Sequence, residues 1–197
     1  PRLAVAIQSA NYDDKGSVAL FACQDDGSLK PLSTVKVGVQ PDMLTFADGS
    51  TILTADEGEP RQGVDGTDPK GSVTIVTIDP DTAKMTVKSV YFDAFDAQRD
   101  ALTAAGVLIQ KDTQPSTDFE PEYIAVSGRT AYVALQEANA IAVLDIDKAQ
   151  FTGVYPLGFQ DYSQTKIDLQ KDDKIELKNY ENVYGIKMPD GIAVTAI

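Results

Sequence analysis

Apolar and polar residues alternate along most of this chain in short runs, the period-two signature of strands with one buried face. Three such runs align with one another: "LAVAIQSAN" at 3–11, "TILTADEGEP" at 51–60 and "AYVALQEAN" at 131–139. Each closes on Ala, any residue, then Gln or Glu, so Gln8, Glu57 and Gln136 fall in register. A second strand follows each time, as "GSVALFAC" from Gly16, "GSVTIVTID" from Gly71 and "NAIAVLDID" from Asn139. The first two share the opening D-x-K-G-S-V, at Asp13 and Asp68. Another strand precedes the pair, as "QPDMLTFADG" from Gln40 and "EPEYIAVSGR" from Glu120, and starts again as "MPDGIAVTAI" from Met188. Segments 32–38, 85–92 and 151–158 supply a fourth, rich in Val, Thr and Tyr.

Four antiparallel strands repeating at roughly 40 residues, once insertions are set aside, predict an all-β fold built from β-propeller blades. On this reading 2–38 is the second half of one blade, and 39–90 and 119–158 are full blades. Residues 188–197 open the next. Propellers close with about four to eight blades. About three are present, so the pattern predicts a fragment of a longer protein whose open edges meet the rest of its own propeller.

Two insertions break the repeat. Within 91–118, "FDAQRDALTAAG" (95–106) predicts one short helix, with Asp93 or Asp96 as its cap and Gly106 at C′. The second, 159–187, is polar and rich in Lys and Asp, and predicts a rim loop.

Charge and composition narrow the chemistry. The 197 residues carry 30 acidic and 17 basic side chains, a net charge of −13. That balance, with no basic cluster, argues against nucleic-acid binding. No apolar run is long enough for a transmembrane helix. The absence of His removes Ser-His-Asp and Cys-His catalysis and the zincin motifs. Cys23, the single cysteine, forms no internal disulfide and reads as a small buried hydrophobe within "SVALFAC". A bound metal would therefore be a hard ion held by oxygen.

The stretch "ADEGEPRQGVDGTDPKGSV" (55–73) concentrates acid among glycines and prolines. Together with Asp42 just upstream, it offers Asp56, Glu57, Glu59, Asp65 and Asp68. Glu57, Glu59, Asp65 and Asp68 are the candidate calcium ligands, although neither EF-hand nor RTX spacing is present. The competing reading is an elongated strand connection with its acids in water. The in-register Gln8, Glu57 and Gln136 are candidates for a polar ring at a channel mouth or rim; alternatively they bond neighbouring blade backbones. Pro41-Asp42, Pro121-Glu122 and Pro189-Asp190 read as strand openings whose acid accepts bonds from the adjoining blade. Glu120 with Glu122 is a nominal carboxylate pair for glycoside cleavage. Arg61, Lys70 and Arg129 are isolated in sequence and make no phosphate clamp.

The stretches "QPDMLTFADGSTILTADEGEP", "DPKGSVTIVTID", "DFEPEYIAVSGRTAYVALQEANAIAVLDI" and "YPLGFQDYS…YENVYGIKMPDGIA" closely resemble the choice-of-anchor I family. Its members are often described as mesenchyme-specific cell surface glycoprotein-like or alkaline phosphatase-like bacterial proteins. The resemblance runs over essentially the whole chain. It implies a seven-bladed propeller of the quinoprotein/YVTN type, exported to the cell envelope surface or secreted. It supplies no catalytic residues. The expected function is a binding or scaffold module for a surface ligand or protein, with calcium as the candidate stabilising ion. The alternative is a metal-dependent phosphoesterase or other hydrolase whose catalytic parts lie largely outside this segment. Redox cofactor binding, by analogy with quinoprotein propellers, has no residue here to support it.

Overall fold

The computed structural model describes residues 1–60 and 66–195. Three antiparallel meanders account for most of it, and none closes on itself. The first holds β1 (Arg2–Ile7), β2 (Lys15–Cys23) and β3 (Leu29–Val39). The second holds β4 (Pro41–Asp48), β5 (Thr51–Asp56), β6 (Ser72–Ile78) and β7 (Met85–Tyr91). The third holds β8 (Pro121–Ser127), β9 (Thr130–Leu135), β10 (Ala140–Asp145) and β11 (Gln150–Pro156). The first sheet thus has three strands where the second and third have four.

The repeat holds at the level of register. Ile7 pairs with Ser17, Asp56 with Ser72 and Leu135 with Ala140, so β1, β5 and β9 occupy one position in their sheets. Short turns fold for a common local reason. Asp48 accepts the Ser50 N–H at 2.8 Å, Asp79 the Thr82 N–H at 2.8 Å and Asp145 the Lys148 N–H at 3.0 Å.

Strand alternation divides the core in two, because the middle sheet is buried on both faces. Ile52, Val76, Ile78 and Met85 pack with Ala4, Val18, Leu20 and Val37 of the first sheet. Leu53, Ala55, Val73 and Ile75, one residue out of phase, pack with Ile124, Val133, Leu135 and Leu144 of the third. This explains the run of β5, where every residue from Thr51 to Asp56 is buried. A strand covered on both faces has no solvent side.

The insertion between β7 and β8 contains a 3-10 turn (Asp93–Gln98), α1 (Arg99–Ala105) and a four-residue α2 (Pro115–Asp118), one helical turn more than the sequence suggests. Gly106 ends α1 in the left-handed conformation at φ 106°, as expected. The expected caps are corrected: neither Asp93 nor Asp96 bonds the start of its own helix. Asp96 instead accepts the N–H and hydroxyl of Ser116, both at 2.9 Å, and so caps α2. Asp93 pairs with Lys70. The insertion is pinned to the third sheet by Phe92, which stacks on Phe151 at 4.2 Å and meets the edge of Phe119 at 5.4 Å.

Three further expectations change. Cys23 is half-buried at the end of β2 rather than in the core. Segment 159–187 is a loop closed by a small ladder of β12 (Phe159–Asp161) and β13 (Tyr184–Ile186). Residues 188–195 form no strand, so the third Pro-acid segment does not repeat the structure of the first two.

Candidate functional site

The D-x-K-G-S-V motif explains how consecutive sheets meet. A β-carbon built on Gly71 would lie 2.7 Å from Pro121 Cδ and 2.9 Å from the Glu57 carbonyl oxygen, and nearer still to the Phe119 carbonyl. The same construction on Gly16 lies 2.5 Å from Pro41 Cγ and 2.7 Å from the Ile7 carbonyl oxygen. In both cases glycine lets the proline that opens the next sheet press against the end of the previous one. The residue before that proline is thereby carried into the seam between sheets.

That residue is Gln40 at the first seam and Glu120 at the second, and both are only 7% exposed. Gln40 adopts a positive φ of 51° and bonds on every side. Its Oε1 accepts the Glu59 N–H at 2.8 Å, and its Nε2 donates to the Tyr12 and Glu59 carbonyls at 3.4 Å. It therefore locks the loop after β5 to the loop after β1. Glu120 has the same position, but its carboxylate makes no hydrogen bond or ion pair among the described residues; since no buried side-chain oxygen there lacks a partner, its carboxylate oxygens reach solvent although the residue as a whole is buried. Burial first, and then repulsion from Glu137, Glu57, Glu59 and Asp118, push its carboxyl up to about 8.

Glu57 is the first residue after β5 and is half-buried beside this seam. Burial, then Glu122, Glu59, Asp42 and Glu137, push it up to about 7. Glu122 is raised as well, by burial and then by Glu137, Asp42 and Asp190. Carboxylates from the loops after β5 and β9 and from the starts of β4 and β8 thus share one end of the sheets. The ion pairs of the described residues lie elsewhere. Lys70 is held by Asp93, and Arg129 bridges Asp48 at 2.6 Å and Asp147 at 2.8 Å.

A second polar feature lies just beneath. Asp56, the last residue of β5, is fully buried between the first and second sheets. It accepts hydroxyls from Thr54 at 2.7 Å, Ser72 at 2.9 Å and Thr74 at 2.5 Å. Gly38 of β3 packs against it so closely that a β-carbon there would stand 2.5 Å from the carboxyl carbon. Burial outweighs these bonds and that from the Gly38 N–H, and pushes Asp56 up to about 6. A carboxylate bonded in this way is a structural brace, with no room for a ligand.

The residues singled out from sequence separate into different settings. Gln8, Glu57 and Gln136 each follow directly on the last residue of β1, β5 and β9, as their register requires. They do not bond neighbouring backbones in common: Gln8 is exposed, and Gln136 donates to the Glu137 side chain at 3.3 Å. Backbone bonding across a seam is done by Gln40, whose sequence signal was its place before the repeated proline. Asp42 and Glu122 accept no hydrogen bond from the adjoining sheet among the described residues.

The calcium candidates are also divided. Glu57 and Glu59 join the acidic strand-end group, whereas Asp68 is raised by burial and then by Asp118 of the insertion. Asp65 lies outside the described residues, as does Arg61. Among the described residues, no group of three acidic side chains is placed to hold one metal ion.

The choice-of-anchor I domain matches residues 1–197, the full span of the chain. The chain belongs to that family. No curated protein gives a significant match to this choice-of-anchor I sequence. Among solved structures, a Bacteroides uniformis protein provisionally assigned as a 6-phosphogluconolactonase aligns over 79% of this chain and 38% of its own, with 18% identity and a TM-score of 0.50. Hydrazine synthase of Kuenenia stuttgartiensis aligns over 79% of this chain and 46% of its own, with 12% identity and a TM-score of 0.51. The choice-of-anchor I chain therefore spans less than half of each of these structures. At such identities the likeness concerns the fold alone. No helix among the described residues is long and apolar enough to cross a membrane.

Proposed function

We propose that this choice-of-anchor I chain is a surface-associated binding module whose acidic strand ends receive a cationic ligand. The observation that carries it is the uncompensated carboxylate group around Glu57 and Glu120. Burial and mutual repulsion raise both carboxyls, and no basic side chain among the described residues neutralises them. A cationic ligand relieves that repulsion, so binding and removal of strain act together.

The architecture proposed around this surface is a β-propeller of blades like the second and third sheets. Support comes from the repeated meander, from equivalent registers at β1, β5 and β9, and from the same glycine–proline seam at Gly16–Pro41 and Gly71–Pro121. Surface location is proposed from the family name. Calcium is one form the cation takes, with Glu57 and Glu59 as its donors. A hydrolase reading draws no comparable support, because Lys70 and Arg129 are each engaged by aspartates.

The test is calorimetric titration of the folded protein with calcium chloride at millimolar concentration and, separately, with a short arginine-rich peptide at low salt. Binding of either, weakened by added salt and by Glu57→Gln, supports the reading. Absence of heat with both overturns it.

A further inference from the structure

Packing between the sheets of this chain is directional. One face of a sheet meets the sheet before it and the other face the sheet after it, as β5 turns Ile52 toward the first sheet and Leu53 toward the third. The register that aligns Ile7 with Asp56 and Leu135 also aligns Leu3 and Val5 with Ile52 and Thr54 of β5, and with Ala131 and Val133 of β9. In β5 and β9 every one of these positions is fully buried under the preceding sheet. In β1 nothing among the described residues covers them: Leu3, Val5 and Ile7 are 40%, 38% and 47% exposed. The edge of β1 is open as well. β5 and β9 have a strand on each side, whereas β1 pairs with β2 alone. The neighbour it lacks is the one that opens with proline and an acid in β4 and β8.

The same opening recurs at Pro189-Asp190, where residues 188–195 form no strand. Ile192, Ala193 and Val194 share the lining of a cavity of about 210 Å³ with Ala125, Tyr132 and Ile141, on the outer face of the third sheet. That face corresponds to the Leu53 and Ala55 face of the second sheet, which packs on its successor. We propose that a second copy of this chain meets both features. Segment 189–195 of one copy adds antiparallel to the free edge of β1 in the other, and the outer face of its third sheet closes over Leu3, Val5 and Ile7. The inference rests on the blade reading proposed above and does not depend on a cationic ligand. The Leu44–Thr54 and Ile124–Val133 pairings fix the alignment, with Ile192 opposite Val5 and Val194 opposite Leu3. Within one copy the second sheet stands between segment 188–195 and β1, so the strand goes to a neighbour. The contact continues the two interfaces the chain already builds, with the same faces, and it removes an apolar open edge from water. It joins two different surfaces, so it either closes into a ring or grows without end. Two copies bring six such sheets, three from each, within the range of about four to eight at which propellers close. The expected assembly is a closed dimer.

The experiment measures the mass of the whole chain in solution by light scattering. It then mixes two single-thiol variants, Val5→Cys and Ile192→Cys, each in a Cys23→Ser background, under mild oxidation. The expected result is a dimer, with a disulfide-linked pair formed in the mixture and in neither variant alone. Val5→Lys and Val194→Lys are each expected to weaken dimerisation at least about tenfold by burying an unpaired charge, against no more than about twofold for Val87→Lys on β7. Val5 and Val194 are exposed and 188–195 forms no strand, so both variants are expected to fold, which circular dichroism checks. A monomer whose thiol at position 5 reacts freely with a maleimide would overturn the second copy and leave the blade reading in place. A monomer whose thiol at that position is shielded would also overturn it, because the polypeptide then covers the face itself. A dimer that ignores both lysine variants and forms no 5–192 link would overturn the proposal and the blade reading of 188–195 together.

Discussion

Gly71 and Pro121 are in a contact that no larger residue at position 71 allows, since a β-carbon there would lie 2.7 Å from the proline Cδ. Gly71 immediately precedes β6 of the second sheet and Pro121 opens the first strand of the third, so the pair sets the distance between sheets. Gly71→Ala is expected to destabilise the fold by about 1–3 kcal/mol through overpacking, because the other near neighbours are backbone atoms that cannot rotate away. Gly16→Ala should act in the same way against Pro41. Chemical denaturation of both variants checks this, and a change below about 0.5 kcal/mol would show that the seams are looser than described.

Strand positions were readable from the chain because each repeat uses the same alternation and ends β1, β5 and β9 at matching residues. Depth was less readable. Thr54 and Asp56, with Ser72 and Thr74 opposite, have the polar pattern of a solvent-facing side, yet all four are fully buried because the first sheet covers them. Alternation tells which residues share a face but not what lies against it. Gln40 and Glu120 stood at equivalent positions in the sequence. Their opposite fates follow from the loops that meet them, which a single repeat does not encode. Asp96 shows the limit for caps: proximity in sequence pointed to its own helix, while folding gave it to Ser116, twenty residues on.

Stability is expected to rise as pH falls from about 8 to about 5. Asp56, Glu57 and Glu120 are pushed up to about 6, 7 and 8, while the same groups titrate near 4 in the unfolded chain. Between those values the folded protein holds protons that the unfolded chain has released, so raising the pH favours unfolding. The contribution is complete below the unfolded values and is lost as pH rises through the folded ones. Asp26, Asp48, Asp79 and Asp145 are lowered, chiefly by hydrogen bonds, and oppose the trend only below about pH 4. Thermal unfolding at pH 5, 6.5 and 8 checks the sign; a higher midpoint at pH 8 than at pH 5 would contradict it.

Asp56 separates the cost of burying charge from the value of its bonds. Asp56→Ala strands the Thr54, Ser72 and Thr74 hydroxyls and leaves a small cavity, and is expected to cost about 2–4 kcal/mol. Asp56→Asn keeps the volume and one acceptor and removes the charge, so it should cost less. It should also flatten the pH dependence between about 4 and 6, where Asp56 takes up its proton. Denaturation of both variants at pH 5 and pH 8 checks the argument. An asparagine variant with the wild-type pH slope would show that Asp56 does not contribute to it.

Gln40 provides the converse test of the seam. Its amide oxygen accepts from the Glu59 backbone while its nitrogen faces two carbonyls, so the position requires an acceptor and a donor on one planar group. Gln40→Glu keeps the acceptor and size but turns a second oxygen toward the Tyr12 and Glu59 carbonyls, beside the acidic strand ends. It is expected to cost more than Gln40→Ala, which removes the bonds without burying a charge, and the gap should close at acidic pH as the new carboxyl protonates. Both are expected to fall in the range of about 1–4 kcal/mol at neutral pH. Denaturation at pH 5 and pH 8 checks the order. If Gln40→Ala proves the worse variant at pH 8, then the loss of the loop fastening outweighs charge burial, and the first seam tolerates an unpaired carboxylate as readily as the second holds Glu120.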